Sequence, residues 1–297
     1  MSDTSNSISD VLPDPLPMWQ TVKQAYAAFF ANLGPLLKIA LPWLILMGCL
    51  SYALSEVLKS WVAGAGEAGG PDVSVMPVVW SWQAIQMALN LVIGISGATM
   101  AVAWHRLLLL GEQPKFGGSV FSSAVWRYIG AGIAMSIVSM LPALPMLFFA
   151  LTFAGSPLPQ NAGPFSYFLF FVAYCGVAYL MMHLMLVLPA RAVGNNGLNF
   201  RTILRQVRAN TWRMIGGIFL CSVPLAIPVQ MAAFSVIKFP EKGQKIDPVE
   251  MMSNLTWLTG LTTPYFMLIA MIYIGFLSFA YRHFFDGKGE PQSAPQI

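Results

Sequence analysis

The chain has 297 residues, of which 57% are hydrophobic and only 9% are charged. Soluble globular proteins carry about 25% charged residues, so this composition excludes a water-soluble surface. The net charge is +4, but the basic residues are too sparse, and too rarely interleaved with aromatic residues, to form a nucleic-acid-binding surface.

The two ends of the chain differ from the rest in composition. Residues 1–17 are polar and acidic and contain no Lys or Arg, so they lack the positive region of a secretory signal peptide. Residues 286–297 are also polar and contain several Pro and Gly residues. We expect both ends to be disordered tails. The sequence between them, 18–285, is predicted to be a single membrane domain.

Six apolar runs, free of Lys, Arg, Asp and Glu except for Lys38 at the start of the first, are each long enough to cross about 30 Å of hydrocarbon. They lie at about 36–54, 84–103, 128–153, 165–188, 214–237 and 258–281. The predicted fold is therefore an all-α polytopic bundle of six transmembrane helices with both termini on one side. Of the 16 Lys and Arg residues, twelve lie in the termini, counted as far as Lys38 at the start of the first span, and in the segments 105–127 and 189–213, and four lie in the other loops. The positive-inside rule then makes the termini cytoplasmic.

Amphipathic surface helices are predicted before the odd-numbered spans. Before the first span, one face carries Trp19, Val22, Tyr26, Phe29, Phe30 and Leu33, opposite Gln20, Gln24 and Ala28. This helix is expected to lie in the membrane interface, with the chain turning inward at Gly34-Pro35. A second helix is predicted over 198–214, with Phe200, Ile203, Leu204 and Val207 on its apolar face. The segment 115–126 is also assigned as a helix, although it is rich in Gly and Ser.

A short motif indicates an internal repeat. Trp126-Arg127-Tyr128-Ile129-Gly130 recurs as Trp212-Arg213-Met214-Ile215-Gly216, each time at the entrance to a span. Proline follows within each odd-numbered span, at Pro42, at Pro142 with Pro145, and at Pro224 with Pro228. The even-numbered spans end in Trp104-His105-Arg106, Pro189-Ala190-Arg191 and Tyr281-Arg282-His283. These features predict three degenerate copies of a unit made of a surface helix, a proline-bearing span, an outer loop and a returning span.

The segments 103–112, 188–194 and 210–213 carry a family resemblance. They read Ala-Trp-His-Arg-Leu-Leu-Leu-Leu-Gly-Glu, Leu-Pro-Ala-Arg-Ala-Val-Gly and Asn-Thr-Trp-Arg. The chain resembles uncharacterised bacterial six-span inner-membrane proteins, a group similar to the membrane domain attached to some glycerophosphodiester phosphodiesterases. The resemblance covers roughly 18–285 and implies a bacterial inner-membrane location. The soluble catalytic barrel of those phosphodiesterases has no counterpart here, so their hydrolytic activity is not carried over.

The sequence offers no pattern for catalysis, cofactor binding or a metal site. Apart from Lys38 in the first turn of the first span, no predicted span contains Asp, Glu, Lys or Arg, which disfavours a proton-coupled transporter. His183 lies within a span; it could shuttle a proton or join His105 and His283 at a metal ion, or it could be a neutral histidine bonded to a neighbouring helix. The cysteines, Cys49, Cys175 and Cys221, show no paired spacing and are expected to be apolar packing residues.

The strongest surface feature is a group of five arginines without an intervening acid. They are Arg191, Arg201, Arg205, Arg208 and Arg213. Arginines at a membrane surface attract anionic headgroups, so we predict that this arginine cluster contacts anionic lipid or a protein partner. The alternative is that the five charges only set the topology, and the two roles are compatible.

The sequence thus favours a non-enzymatic membrane protein that organises lipid or a membrane complex through its bundle and its basic cytoplasmic surface. The expected partners are anionic lipid headgroups and, beyond them, a membrane protein or a second copy of the chain. The alternative is a transporter or lipid-handling carrier whose proline-kinked spans move around a central cavity. A polar cavity at mid-membrane near Pro142, Pro224 and Pro264 would favour the carrier.

Overall fold

The computed structural model describes residues 14–67, 76–144, 164–198, 200–236 and 248–285. Within these ranges the regular structure is helical, with no strand among the described residues. The α-helices are α1 (Met18–Ala31), α2 (Leu33–Glu67), α3 (Met76–Leu110), α4 (Ser123–Met140), α5 (Pro164–Leu184), α6 (Val187–Ala192), α7 (Phe200–Val207), α8 (Thr211–Val236) and α9 (Pro248–Phe285). The predicted all-α helical bundle is confirmed.

Six helical stretches are long and apolar enough to cross a membrane. They are Leu33–Val57, Gln83–Leu110, Ser123–Ala143, Phe171–Ala192, Phe200–Ala232 and Tyr265–Phe285. Each overlaps one predicted span, so the chain is a multi-pass membrane protein. The last part of the third predicted span, 145–153, lies outside the described residues, as do 1–13 and 286–297 of the two predicted tails. Residues 14–17 of the first tail are described, and Leu16 is fully buried.

Helix α1 packs against the bundle with one face. It contacts α8 and α9, and its buried face carries Val22, Ala25 and Phe29. Trp19 and Phe30, which were predicted on the same face, are more than half exposed. The Tyr26 hydroxyl donates to the carbonyl oxygen of Leu220 at 3.0 Å. Burial raises the pKa of the Tyr26 phenol, so the hydroxyl keeps its proton and remains a donor.

The turn after α1 also differs from the prediction. The chain turns at Asn32, and α2 already begins at Leu33. Gly34 and Pro35 therefore lie in the first turn of α2 and do not form the bend. Proline is compatible with that position, because backbone N–H groups in the first turn of a helix have no intrahelical acceptor.

The predicted helix over 115–126 is wrong for most of its length, since residues 111–122 form turns and α4 begins at Ser123. Gly117 and Gly118 have φ values of 71° and 74°, in the left-handed region that a right-handed helix excludes. A Cβ on Gly118 would lie 2.5 Å from Cγ2 of Thr99. The two glycines let this loop lie against α2 and α3, where the Trp43 indole N–H donates to the carbonyl oxygen of Gly117 at 2.9 Å.

The prolines occupy different surroundings. Pro42 lies inside α2, whereas α4 gives way to a short 3₁₀ turn, Leu141–Ala143, at Pro142. The ring of Pro142 packs against Gly176 of α5, where an added Cβ would lie 2.8 Å from the Cβ of Pro142. Pro224 and Pro228 lie inside α8 and are exposed on the surface of the bundle.

The helix contacts follow the three predicted copies. Within each copy the proline-bearing helix packs on the returning helix: α2 on α3, α4 on α5, and α8 on α9. Between copies, the returning helix packs on the proline-bearing helix of the next copy: α3 on α4, α5 on α8, and α9 on α2. Because the third copy contacts the first, the three units close into a ring.

The main buried cluster lies where the described ends of the chain meet. It includes Trp104, Leu186, Ile203, Met214 and Tyr281, all close to the ends of predicted spans. At this end, which we call the basic end, the His283 side chain contacts the carbonyl oxygen of Asp14. Farther from the basic end, large apolar side chains are exposed on the bundle, as a lipid-facing surface requires. Cys49 and Cys175 are exposed and Cys221 is buried, so the packing role predicted for the cysteines fits only Cys221.

Candidate functional site

Side chains at the basic end join the three returning spans to one another. The Arg106 guanidinium donates to the carbonyl oxygen of Ala192 at 3.1 Å and forms a bidentate pair with Glu112. The Asn195 amide donates to the Tyr281 hydroxyl at 3.1 Å. Arg282 donates to the carbonyl oxygen of Leu108. Cations at the ends of these helices therefore cap carbonyls of neighbouring copies. These hydrogen bonds hold the three copies together at the basic end.

Three members of the predicted arginine cluster lie free on the surface of one short amphipathic segment. Arg201 and Arg205 of α7, and Arg208 in the following 3₁₀ turn, are exposed, whereas Ile203 and Val207 are buried in the core. Positions i, i+4 and i+7 share one face of a helix, so the three guanidinium groups form a row. The predicted apolar face of this helix is confirmed at Ile203 and Val207.

The other two members of the arginine cluster make contacts with the protein itself. Arg191 donates to the Oδ1 atom of Asn196 at 3.0 Å and to the carbonyl oxygen of Leu198 at 3.5 Å. Arg213 donates to the carbonyl oxygen of Leu16 at 3.0 Å, and the backbone N–H of Leu16 donates to Oδ1 of Asn210 at 2.9 Å. Leu16 is thus held on both sides, and Arg213 ties the start of α1 to the third copy.

This division predicts different effects of removing Arg213 and Arg201. Arg213→Gln should lower the free energy of unfolding by about 1 kcal/mol or more, because the carbonyl oxygen of the buried Leu16 loses a charged donor. Arg201→Gln should leave it within about 0.5 kcal/mol, because an exposed side chain is replaced. Thermal unfolding of the two variants in the same detergent compares them. Equal stability of the two variants would contradict a structural role for Arg213.

A cleft at the basic end contains an arginine that the sequence analysis did not select. The cleft has a volume of about 230 Å³, and its lining includes Arg127 of α4, Arg191 of α6 and Phe200 of α7. Arg127 is exposed and, among the described residues, bonds only within its own helix turn, to the carbonyl and hydroxyl oxygens of Ser123. The repeat could have identified this arginine, because Arg127 and Arg213 occupy equivalent positions in the two copies of the Trp-Arg motif.

An open surface groove on one face of α3, with a volume of about 390 Å³, is lined by Gln83, Gln86 and Asn90 together with two apolar side chains. These amides follow one another at three- and four-residue intervals, so they share one face of α3. The pattern of charged residues in the sequence does not reveal these three side chains, because amides are polar without being charged. The groove lies on α3, whereas the cavity expected of a carrier was placed near Pro142, Pro224 and Pro264.

The three histidines have separate partners. Nδ1 of His105 lies 2.7 Å from Oγ of Ser278; that hydroxyl donates to the carbonyl oxygen of Ile274, so the histidine N–H is the donor to Ser278. His183 donates from Nδ1 to the carbonyl oxygen of Tyr179 at 2.7 Å, and its Nε2 lies 2.8 Å from the hydroxyl of Thr211 on α8. His183 is therefore bonded to a neighbouring helix, as one of the two interpretations proposed.

The metal-site hypothesis for His105, His183 and His283 finds no support in these contacts. His283 bonds to the backbone of the N-terminal segment, away from the partners of the other two histidines. In the part of the chain that the structure describes, no three His, Cys, Asp or Glu side chains come together as metal ligands. No protein-family model matches the chain, and no significant match was found among curated proteins or solved structures.

Proposed function

We propose that this protein is a non-enzymatic bacterial inner-membrane protein that binds anionic lipid headgroups at its basic end and so organises lipid or a membrane complex. The observation that supports the proposal most directly is the exposed arginine row of Arg201, Arg205 and Arg208 beside the buried side chains of Ile203 and Val207. One face of this segment is anchored in the bundle, and the other presents three positive charges.

The position of the arginine row suits a headgroup layer. Helix α8 begins at Thr211, directly after the row, and continues as a span. The arginines therefore lie where the chain enters the apolar region, at the depth of phosphate groups. The sequence from 191 to 213 contains no acid that could neutralise them. By the positive-inside rule this end faces the cytoplasm, where the leaflet is rich in anionic lipid.

The test replaces the arginine row and leaves the two structural arginines in place. In the triple variant R201Q/R205Q/R208Q, the amount of phosphatidylglycerol that copurifies with each protein molecule should fall severalfold, because each basic residue near an anionic surface contributes about 1 kcal/mol. Phosphatidylethanolamine, which has no net charge, should copurify as before. Lipid extraction and mass spectrometry of protein purified from its own membrane give both quantities.

A charge-matched control is available on the same protein. Lys23, Lys38 and Lys115 have exposed side chains. Lys23 and Lys115 belong to segments that are predicted to be cytoplasmic, and Lys38 lies in the first turn of the first predicted span, at its cytoplasmic end. The variant K23Q/K38Q/K115Q removes the same three charges from scattered positions, so it should retain much more phosphatidylglycerol than the arginine variant. Unchanged phosphatidylglycerol in the arginine variant, or an equal loss in both variants, would refute the proposal.

The amide-lined groove on α3 is the observation that favours the alternative, a transporter or lipid-handling carrier. Gln83, Gln86 and Asn90 could donate to and accept hydrogen bonds from a polar solute. The two functions differ in what remains bound during gentle extraction. A stoichiometric anionic lipid or protein supports the organising role, whereas a small molecule that excess ligand displaces supports the carrier.

A further inference from the structure

The cleft between α4, α6 and α7 is lined by two arginines that belong to different helices. Arg127 stands on α4 and Arg191 on α6. Neither guanidinium forms an ion pair with a carboxylate in the described part of the chain. Each has five N–H groups and uses two of them in the contacts described above, which leaves three on each side chain for a ligand.

Below the arginines, both walls of the cleft become apolar. Helix α4 runs from the basic end into the bundle, so Ala131 and Ala134 lie deeper than Arg127 on the same face. Seven residues of α-helix, from Arg127 to Ala134, span about 10 Å. Helix α6 runs in the opposite direction, towards the basic end, and places Val187 one turn below Arg191. The cleft is therefore cationic at its mouth and apolar farther into the membrane region.

The shape of the cleft restricts what it can hold. Pockets that enclose a whole drug-sized ligand measure about 300–1,000 Å³, so a cleft of about 230 Å³ holds a headgroup and the start of a chain. The small side chains of Ala131 and Ala134 leave a groove along α4 for that chain. The Asn196 amide and Phe200 stand beside the arginines, as a further polar group and an apolar one. An inorganic anion would use only the arginines and would leave the apolar walls uncovered.

We propose that this cleft is a specific site for one anionic phospholipid, with the phosphate between Arg127 and Arg191 and an acyl chain along Ala131 and Ala134. Two guanidinium groups match the geometry of phosphate oxygens, and arginine binds them with paired hydrogen bonds. The site rests on the proposed function, in that both need anionic lipid at the basic end. It adds a stoichiometric contact, through Arg127, that the exposed arginine row does not provide.

The experiment titrates phosphatidylglycerol into delipidated protein in detergent and follows the first bound lipid by native mass spectrometry. In R127Q the dissociation constant of that lipid should rise by about tenfold or more, the usual effect of losing hydrogen bonds to a charged group. In A134F, which fills the groove without changing the charge, it should rise as well. The control K115Q removes one exposed charge that lies outside both the cleft and the arginine row, and it should leave the first binding step unchanged.

A competition arm distinguishes a lipid from a free phosphate compound. Glycerol 1-phosphate carries the headgroup chemistry without an acyl chain, so it should not displace phosphatidylglycerol at equal concentration. Full displacement, together with normal lipid binding by A134F, would overturn the lipid assignment in favour of a soluble phosphate. An unchanged first binding step in R127Q would overturn the site altogether. The copurification test of R201Q/R205Q/R208Q can still succeed in either case, so failure of this site and failure of the proposed function are distinguishable.

Discussion

Replacing Gly217 with alanine is expected to lower the free energy of unfolding by about 1–3 kcal/mol, the usual cost of adding an atom to a filled core. Gly217 lies on α8 where this helix crosses α9. An added Cβ would lie 2.2 Å from Cζ and 2.3 Å from Cε2 of Phe276, which is fully buried. The ring cannot move outward without disturbing its other neighbours, so the two helices must separate. Thermal unfolding in detergent, followed by intrinsic fluorescence, measures the loss.

Two further variants distinguish this clash from a general effect of alanine. Gly132 of α4 has no atom within 4 Å of an added Cβ, so Gly132→Ala should be neutral or slightly stabilising, since alanine favours a helix more than glycine does. Phe276→Leu removes the ring atoms that an added Cβ would meet. The double variant G217A/F276L should therefore be more stable than the sum of the two single effects predicts. Strict additivity would show that the contact between Gly217 and Phe276 is not the cause.

The repeat motif shows what the sequence could predict and what it could not. Trp126-Arg127 and Trp212-Arg213 identify equivalent positions, and the helix contacts follow the predicted copies. The residue after the motif is Ala131 in one copy and Gly217 in the other. Ala131 borders an open cleft, whereas Gly217 meets Phe276. Periodicity identifies which positions correspond, but the neighbours that decide the size of each side chain come from other helices.

The six spans and the amphipathic α7 were predictable because their signals are local. A long apolar run is more stable in the hydrocarbon of a membrane than in water. A helix that packs on a core with one face has apolar residues on that face and polar residues on the other. The loop over 111–122 was not predictable in this way. Its course depends on the left-handed conformations of Gly117 and Gly118 and on the side chains of Pro42 and Thr99, which belong to the previous copy. A glycine-rich segment can adopt many backbone conformations, and its sequence does not indicate which one it adopts.

The sequence identifies the arginine cluster by charge alone, and the structure divides it by the contacts that its members make. Arg213 holds the backbone of Leu16, and Arg191 lines a cleft, whereas Arg201, Arg205 and Arg208 remain exposed. A run of like charges shows where cations are concentrated along the chain, but the bonding partner of each cation depends on distant segments. Leu16 is separated from Arg213 by 197 positions, so no local pattern could have assigned that contact.

The contacts between the three copies account for the buried cluster at the basic end. The returning helices α3 and α9 contact each other there, and both contact α6, the short helix that follows the returning helix α5. The Arg106 and Arg282 side chains cap carbonyls of neighbouring copies. Bilayer lipid is as apolar as a leucine side chain, so close packing and satisfied polar groups must hold such a bundle together. A large side chain that is buried where these helices meet should therefore contribute more to the free energy of unfolding than one on the outer surface of the bundle.

Trp104 is that side chain, and Trp104→Ala is expected to lower the free energy of unfolding by about 3–5 kcal/mol, as truncation of a buried tryptophan does in other cores. Trp104 lies near the end of α3, is fully buried, and belongs to the main cluster. Its indole nitrogen is the atom nearest to an added Cβ on Gly275, at 3.4 Å, so α3 and α9 are in close contact there. Its loss leaves a cavity between helices of the first and third copies and removes a contact that holds these two copies together.

Trp212→Ala is the matched control, because it removes the same side chain from a position on α8 that is 83% exposed. That variant should unfold within about 1 kcal/mol of the parent protein, as surface substitutions do. Equilibrium unfolding in mixed micelles, followed by far-ultraviolet circular dichroism, compares the two variants, and size-exclusion chromatography reports whether Trp104→Ala still forms a single species. If both variants lose the same stability, the basic end is not the structural centre of the bundle. If only Trp104→Ala is destabilised, the three copies are held together where their returning helices meet, beside the arginines that we propose bind lipid.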